Sequence, residues 1–375
     1  MPTTPAPGPR MNGGHDALPL AQPVYYAERA LLGALLLEPH RHAGLTGIDA
    51  GSFSNAAHGA VFTAIGNLPV PDPVQHAQAT TWLNEVLDAA REQARGLTSP
   101  YLHTLIRACP QPRHAAAYAR IIEADHARRT LHGRAQRLAQ TATDPALPHP
   151  LPAVFAEADA LTKVVEGLAA RFPPHPGAPP RTPAPPPHPD LDGRDEALDE
   201  ERLLLASATA HPAEIERMRW LTDRDFSDAL HAGLWTCLTS LNRRGAPIDP
   251  VTVLWEAQQR GLATEVVPAE LLDGPPAAAG SAVYWGERVL HRAVLATAYE
   301  VGCRIEAFAS DPVSTPYQLV LGSRRALADL HAVRTRWNHA TSPPRVTKRA
   351  RTRSSAPPRA GPPHPAAPSA SRPSR

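Results

Sequence analysis

An internal repeat is the feature that most limits what this chain can fold into. The segments ERALLGALLLEP and FSNAAHGAVFTAIGNL return later as ERLLLASATAHP and FSDALHAGLWTCLTSL. Each residue of the second version follows its counterpart by 173 positions, so the two versions align without a gap. A duplicated unit predicts two domains of one kind. The aligned positions include Glu28 and Glu201, Pro39 and Pro212, Phe53 and Phe226, His58 and His231, and Phe62 and Trp235.

The hydrophobic pattern of both versions is typical of helices, and β-branched residues are too sparse to suggest strands. The run YYAERALLGALLLEP is rich in Leu and Ala and should stop at Pro39, because proline disfavours helix in the preceding residue. Before LLLASATAHP, acidic residues lie where a helix N-terminus favours negative charge. The predicted fold class is all-α. Further helices are predicted at about 54–68, 76–95, 99–108, 114–142, 150–170, 227–243, 251–260, 283–309 and 315–338.

Proline and charge mark the segments that separate or flank the helices. The run FPPHPGAPPRTPAPPPHPD favours an extended polyproline II spacer, since its proline density is incompatible with helix or sheet. Such a spacer is long enough to let two domains meet. We predict disorder in residues 1–22, a first helical domain at 23–171, a Pro-rich linker at 172–195, a second helical domain at 196–338 and a disordered basic tail at 339–375.

The repeated polar residues are interpreted as caps and core groups. Ser54 and Ser227 follow an aromatic residue and could cap the next helix. A ligand or catalytic histidine would need acidic or cysteine partners, and neither copy supplies a consistent set around His58 or His231. We therefore expect each histidine to be buried or at a helix entry and bonded to a backbone carbonyl. The repeated aromatic residues are expected to pack in the core: Phe53, Phe62, Phe226 and Trp235.

Cysteine content and hydropathy bear on the compartment. Cys109, Cys237 and Cys303 are far apart and lack the paired spacing of a disulfide framework or a zinc knuckle. No run approaches the roughly 18 apolar residues needed to cross a bilayer. The sequence therefore predicts a cytoplasmic protein with no membrane partner.

Several motifs resemble the amino-terminal domain of DnaB-type replicative DNA helicases. The first is the A-E-x-A-L-L-G pattern of Ala27–Gly33, followed by a proline and by F-S-x-x-x-H-x-x-[FW]. The segments RRGAPIDPVTVLWEAQQRGL and PYLHTLIRACPQPRHAAAYARII add to it, and the resemblance covers most of 24–170 and 196–338. The second copy departs from the pattern, because Leu205-Ala206-Ser207 replaces the usual Leu-Gly.

The resemblance implies a globular helical head followed by an antiparallel helical hairpin. In that family the hairpin pairs with a second copy, the domain builds one tier of a hexamer, and it serves as a docking surface for primase. The domain carries no catalytic residues there. The resemblance therefore implies two tandem, small helical domains that could pack hairpin to hairpin as an intramolecular pseudo-dimer, or assemble as a homo-oligomer.

The nucleotide-binding motor of a helicase has no counterpart in this sequence. Such a motor needs a glycine-rich loop that ends in Gly-Lys-Ser or Gly-Lys-Thr. The chain has two lysines, Lys163 on a predicted helix and Lys348 in the tail, and neither lies in such a loop. The nearest approach to a metal cluster, His40-Arg41-His42, is interpreted as a solvated helix end. We therefore predict a chain that is not an enzyme and holds no cofactor or metal.

Three functional hypotheses follow. The leading one is a non-enzymatic interaction protein of DNA replication that docks on primase or on the replicative helicase. The second is non-specific DNA binding, since residues 341–375 carry eight cationic residues and no acid. The third is the collar subunit of a split replicative helicase whose motor is another polypeptide. The tail residues predicted to contact DNA are Arg345, Lys348, Arg349, Arg351 and Arg353.

Overall fold

The structure is a computed structural model, and it describes residues 22–173, 194–262 and 280–342. Within these ranges every regular element is helical and no strand occurs, so the all-α prediction is confirmed. None of the described helices combines the length and apolar character needed to cross a bilayer. Most of the predicted N-terminal segment and linker, and the basic tail beyond residue 342, lie outside the described residues.

The first head is built from five α-helices. They are α1 (Pro23–Leu37), α2 (Ala56–Asn67), α3 (Pro73–Gln78), α4 (Thr81–Gln93) and α5 (Ser99–Arg107). Short 3₁₀ turns lie at Pro39–Gly44, Ala50–Ser52 and Pro112–His114. The head has a core of its own, in which α1 is buried over most of its length. The largest contributors to that core include Leu31, Leu35, Val61, Trp82, Leu105 and Ile122.

The single helix predicted at 76–95 is wrong, because the structure has two helices there. The carboxylate of Asp72 caps α3 by accepting from the backbone N–H groups of Val74 and Gln75 at 3.0 and 3.1 Å. No residue of α3 is buried, whereas α4 buries Trp82, Val86, Leu87 and Ala90. The break after Gln78 lets α4 turn its apolar face toward α2, which a continuous helix from 73 would not allow.

The first hairpin is formed by α6 (Ala115–Thr143) and α7 (Pro150–Arg171). Its two helices run antiparallel, with Arg134 and Arg137 of α6 each 3.8 Å from Glu157 of α7. Leu131, Leu138, Val154 and Leu161 fill the space between the helices and are fully buried.

The second head and second hairpin repeat this plan. The head contains α8 (Arg194–Ala210), α9 (Ala229–Arg244) and α10 (Pro250–Gln259), with 3₁₀ turns at Pro212–Met218 and Asp223–Asp225. The hairpin contains α11 (Ala282–Ser310) and α12 (Pro316–Thr341). The predicted helix-start carboxylates, Asp195 and Glu196, lie in the first turn of α8. This helix begins at Arg194, inside the predicted linker.

The two hairpins pack against each other. A Cβ atom at Gly302 of α11 would lie 2.8 Å from the carbonyl oxygen of Ala135 of α6, so the two backbones approach as closely as a glycine permits. Nearby, the Gln136 amide donates to the Glu306 carboxylate at 2.9 Å. Arg324 of α12 binds both carboxylate oxygens of Glu166 of α7, at 3.0 and 2.6 Å.

One hydrophobic core therefore runs through both hairpins and the second head. It is distinct from the core of the first head. Arg128 of α6 reinforces the connection by donating to the carbonyl oxygens of Asp311 and Ser314, in the loop between α11 and α12. This is the arrangement that the pseudo-dimer hypothesis describes. The domain boundaries drawn from the sequence stay predictions.

Candidate functional site

Each head contains a buried pair of a glutamate and a histidine. In the first head, Nδ1 of His58 on α2 lies 2.5 Å from Oε2 of Glu28 on α1. In the second head, Nδ1 of His231 on α9 lies 2.7 Å from Oε2 of Glu201 on α8. All four residues are at most 3% exposed. The expectation of a backbone carbonyl as the partner of each histidine was wrong, because the partner is the repeated glutamate.

The second oxygen of each glutamate binds the loop before the next helix. Oε1 of Glu28 accepts from the Ser54 backbone N–H at 2.5 Å. Oε1 of Glu201 accepts from the Ser227 backbone N–H at 2.6 Å and from its hydroxyl at 2.7 Å. Each carboxylate thus joins the first helix of its head, the loop and the second helix. That loop is fixed by a buried acceptor and not by a surface cap.

The predicted capping role of the two serines was also wrong. The caps are the residues that follow them: Asn55 accepts from the Ala57 backbone N–H, and Asp228 accepts from the Leu230 backbone N–H, both at 2.8 Å. Asn and Asp are strong N-cap residues, so either of two neighbouring positions could have taken this role from local sequence alone. The choice depends on the distant glutamate, which holds the serine N–H.

The first pair is ionised on its carboxylate side. Burial would raise the pKa of Glu28, but hydrogen bonds from His58 and Ser54 outweigh it and hold the pKa below its ordinary value. An ionised carboxylate can only accept hydrogen bonds, so Nδ1 of His58 must be the donor. Since neither side chain reaches solvent, the arrangement suits fastening of helices better than proton exchange with a substrate.

Tyr101 extends the pair in the first head. Its hydroxyl lies 2.8 Å from Nε2 of His58, so the chain Glu28, His58 and Tyr101 links α1, α2 and α5. Burial is the main reason that the pKa of Tyr101 lies above its ordinary value. In the second head, the residues between Leu262 and Gly280, which follow α10, lie outside the described residues.

The repeated aromatic residues and prolines surround these pairs. Phe53 packs against Phe62 with ring centroids 5.1 Å apart, and Phe226 packs against Trp235 at 6.0 Å. Phe53, Phe62 and Trp235 are buried, while Phe226 is half-buried. Each repeated proline, Pro39 and Pro212, begins the 3₁₀ turn after the first helix of its head. The ten repeated residues therefore lie at the junction of the first two helices in each head.

The remaining sequence candidates lie apart from these pairs. His40 is exposed, but His42 packs on Phe62 with ring centroids 4.8 Å apart, and burial lowers its pKa. The interpretation of this segment as a solvated end was therefore wrong for His42. Among the described residues, no three potential metal-binding side chains come together. Lys163 lies on α7. The predicted DNA-contacting residues lie outside the described residues: Arg345, Lys348, Arg349, Arg351 and Arg353.

Sequence reasoning aligned both glutamates and both histidines but did not pair them. The available signal was their separation, which is 30 positions in each copy. A polar residue kept at two such positions within otherwise apolar helix faces could have indicated a buried pair, because buried charges are nearly always paired.

Comparison with known proteins identifies the two heads. A model of the DnaB-like helicase N terminal domain matches residues 21–124 and 194–287. No curated protein and no solved structure matches the chain. The matched segments run from the first helix of each head into the first helix of its hairpin, and together they cover more than half of the chain. The chain therefore belongs to the DnaB-like helicase N-terminal domain family and carries two tandem copies of that domain.

Proposed function

We propose that the chain is a non-enzymatic interaction module of DNA replication, which docks on primase or on the replicative helicase. Family membership of both copies supports the link to replication. The observation that carries the proposal is the packing of one hairpin on the other within a single chain. A hairpin surface that would pair with another subunit is thereby used internally, which leaves the outer faces of the heads for partners.

A non-enzymatic role accounts for the titratable groups inside the heads. Glu28 and Glu201 are each bound to a histidine and a serine, and all of these contacts join helices of the same head. The two lysines of the sequence do not follow a glycine-rich loop. Binding without catalysis is the simplest use of such a scaffold.

The second head offers an apolar face for docking. Val251 and Trp255 are one helical turn apart on α10 and are 75% and 61% exposed. They belong to the segment that most resembles the helicase family in sequence. Exposed tryptophans at the centre of an interface commonly dominate binding energy.

The test is binding of the purified full chain to purified primase and to purified replicative helicase of the same cell. Trp255→Ala should weaken the productive complex at least about tenfold, as expected for an interface hot spot. Val313→Ala, which changes another exposed apolar residue, should leave it unchanged. Absence of binding to both partners would contradict the proposal. DNA-dependent ATP hydrolysis that survives removal of contaminating motors would contradict its non-enzymatic part.

A second candidate function is non-specific DNA binding by the tail. The observation in its favour is the run of eight cationic residues without an acid in residues 341–375. Arginine-rich segments neutralise phosphates, so their binding weakens steeply with salt. A chain that stops at Ser342 should lose DNA affinity relative to the full chain in a mobility-shift assay at two salt concentrations. Equal affinity would assign the tail another role.

A further inference from the structure

We propose that the first head carries a second, separate site, which binds the phosphate backbone of a polynucleotide. The site is a basic strip formed by Arg107, Arg113 and Arg120, with His103 and His114 beside them. All five side chains are exposed. Residues 93–122 contain no aspartate or glutamate, so the strip is the surface of a continuous acid-free segment.

The fold places the three arginines close to one another. Arg107 is the last residue of α5, Arg113 lies in the 3₁₀ turn that precedes α6, and Arg120 is in the second turn of α6. The connection between α5 and α6 is tight, since backbone hydrogen bonds join Cys109 to Ile106 and His114 to Gln111. Arg113 and Arg120 are two helical turns apart, or about 10 Å, and so share one side of the helix.

No carboxylate neutralises the strip. Other arginines of the first copy have acidic partners, as Arg129 does with Asp125 at 2.8 Å and Arg171 with Glu123 at 3.6 Å. Within the described part of the chain, no ion pair includes Arg107, Arg113 or Arg120. Their full charge is therefore available to an anion.

One carboxylate does approach the strip. Burial and, to a smaller extent, the charge of Glu38 raise the pKa of Cys109, which places Glu38 near the turn after α5. Glu38 is itself paired with Arg41, so it reduces the positive potential of the strip only in part.

The position of these charges on α6 works against the helix itself. Arg113 and His114 lie just before the first residue of α6, where the helix dipole favours negative charge. The second head obeys the usual preference, with Asp195 and Glu196 in the first turn of α8. Cationic residues at an unfavourable position are explained if an anion binds there.

The second copy lacks this strip. Its helix α11 has the same length as α6, and the residue that takes the place of Arg120 is Glu287. The arginines of that region, Arg288 and Arg292, are both bound to the buried Glu200 at 2.6 Å. The unpaired positive charge is thus a property of the first copy and not of the repeated fold.

The surroundings of the strip favour a polynucleotide over an acidic protein. Between Arg113 and Arg120 the exposed residues are the small Ala116 and Ala117. The nearest large apolar side chain is Ile121, which is 46% exposed. A protein interface is usually centred on a buried aromatic or aliphatic anchor, whereas a phosphate backbone needs charge and access.

The experiment compares two triple variants of the full chain. The strip variant is Arg107→Ala, Arg113→Ala and Arg120→Ala. The control variant is Arg217→Ala, Arg224→Ala and Arg243→Ala, which removes the same charge from exposed residues of the second head. Both keep the basic tail, so any contribution of the tail is common to them. Thermal unfolding checks that each variant is folded.

Fluorescence anisotropy with labelled oligodeoxythymidylate, at about 50 and about 200 mM salt, measures the effect. The strip variant should bind roughly tenfold more weakly at the lower salt, and its slope of log affinity against log salt should fall by about 2, since each lost single-strand phosphate contact removes about 0.7. The control should change by less than about twofold. The same assay with duplex DNA shows which form of the backbone binds more tightly.

Four outcomes would overturn the proposal: an unchanged strip variant, equal losses in the two variants, no binding by the parent chain, or an equal loss of affinity for polyglutamate. The last outcome would assign the strip to an acidic protein. The arginines of the strip lie apart from α10, so failure of primase or helicase docking would leave this result unaffected.

Discussion

The two heads keep the same interior and differ on the surface. Both bury a glutamate bound to a histidine and a serine, with the same residue spacing. Yet Trp82 and Trp255, which align in the repeat, are 5% and 61% exposed. The repeated sequence therefore retained what holds each head together, while the outer faces diverged. The two copies are expected to bind different partners.

The tryptophan difference follows from the helix boundaries. In the first head α3 ends at Gln78, and α4 presents Trp82 to the core, where its indole N–H donates to the Pro69 carbonyl at 3.1 Å. In the second head α10 begins at Pro250, so Val253 and Ala257 face α9 and Trp255 faces outward. A shift of the helix start moves the aligned side chain to the opposite face.

Replacing the two tryptophans gives the largest predicted contrast. Trp82→Ala should lower the free energy of unfolding by about 3 to 5 kcal/mol, because it opens a cavity in the core of the first head. Trp255→Ala should change it by less than about 0.5 kcal/mol, as is usual for exposed residues. Urea unfolding of both variants measures the difference. Similar losses would contradict the assigned burial.

Removing the shared carboxylates should affect both heads. Glu28→Ala and Glu201→Ala should each cost about 2 to 3 kcal/mol, because a histidine and a serine N–H lose their buried acceptor and each unsatisfied group costs about 1 to 3 kcal/mol. Glutamine at either position keeps an acceptor and should cost less. Urea unfolding again measures the loss. If only one head were sensitive, the pairs would not be equivalent.

The pH dependence of stability sharpens the account of the first pair. The pKa of Glu28 is lower in the folded chain than its ordinary value, so its stabilisation is present above the unfolded pKa of about 4.3 and is lost as pH falls through the folded pKa. Glu28→Gln should therefore lose less stability between neutral and acidic pH than the parent chain. Parallel stability curves for the two would contradict this role.

The contact between hairpins is tested at one glycine. Gly302→Val should cost about 1 to 3 kcal/mol, because the new side chain would meet the Ala135 carbonyl and force α6 and α11 apart. Gly133→Ala is the matched control, since a Cβ atom at Gly133 of α6 would meet nothing within 4 Å. That control should be neutral or slightly stabilising. Thermal unfolding distinguishes the two, and equal effects would remove the support for close packing at Gly302.

The smallest predicted effect concerns the tyrosine of the first head. Tyr101→Phe removes the hydroxyl that binds His58 and should cost about 1 kcal/mol, the usual net value of one hydrogen bond. Tyr26→Phe, which changes an exposed residue of α1, is the control and should cost almost nothing. Hydrogen exchange of the α2 backbone measures the local effect. Equal exchange in both variants would contradict the link through His58.

Helix existence and fold class could be predicted because they depend on local patterns. The Leu-rich run before Pro39 and the periodic segments of both hairpins are helical in the structure. The break between α3 and α4 was missed because polar residues at 75–80 do not interrupt helix propensity, and the break depends on which face packs. Tertiary contact decides such boundaries.

The Glu–His pairs were missed for a similar reason. Glu28 and His58 lie on different helices, and only packing of α1 on α2 brings them within hydrogen-bonding distance. The same holds for His42, which is polar in sequence but packs on Phe62. Contacts between helices cannot be read from the periodicity of either helix.

The central claim is that the two copies fold as one unit through their hairpins, and small-angle scattering of residues 22–342 tests it most directly. The account predicts a single particle whose pair-distance distribution matches the structure and does not change with salt. Two lobes separated by a variable distance would contradict it.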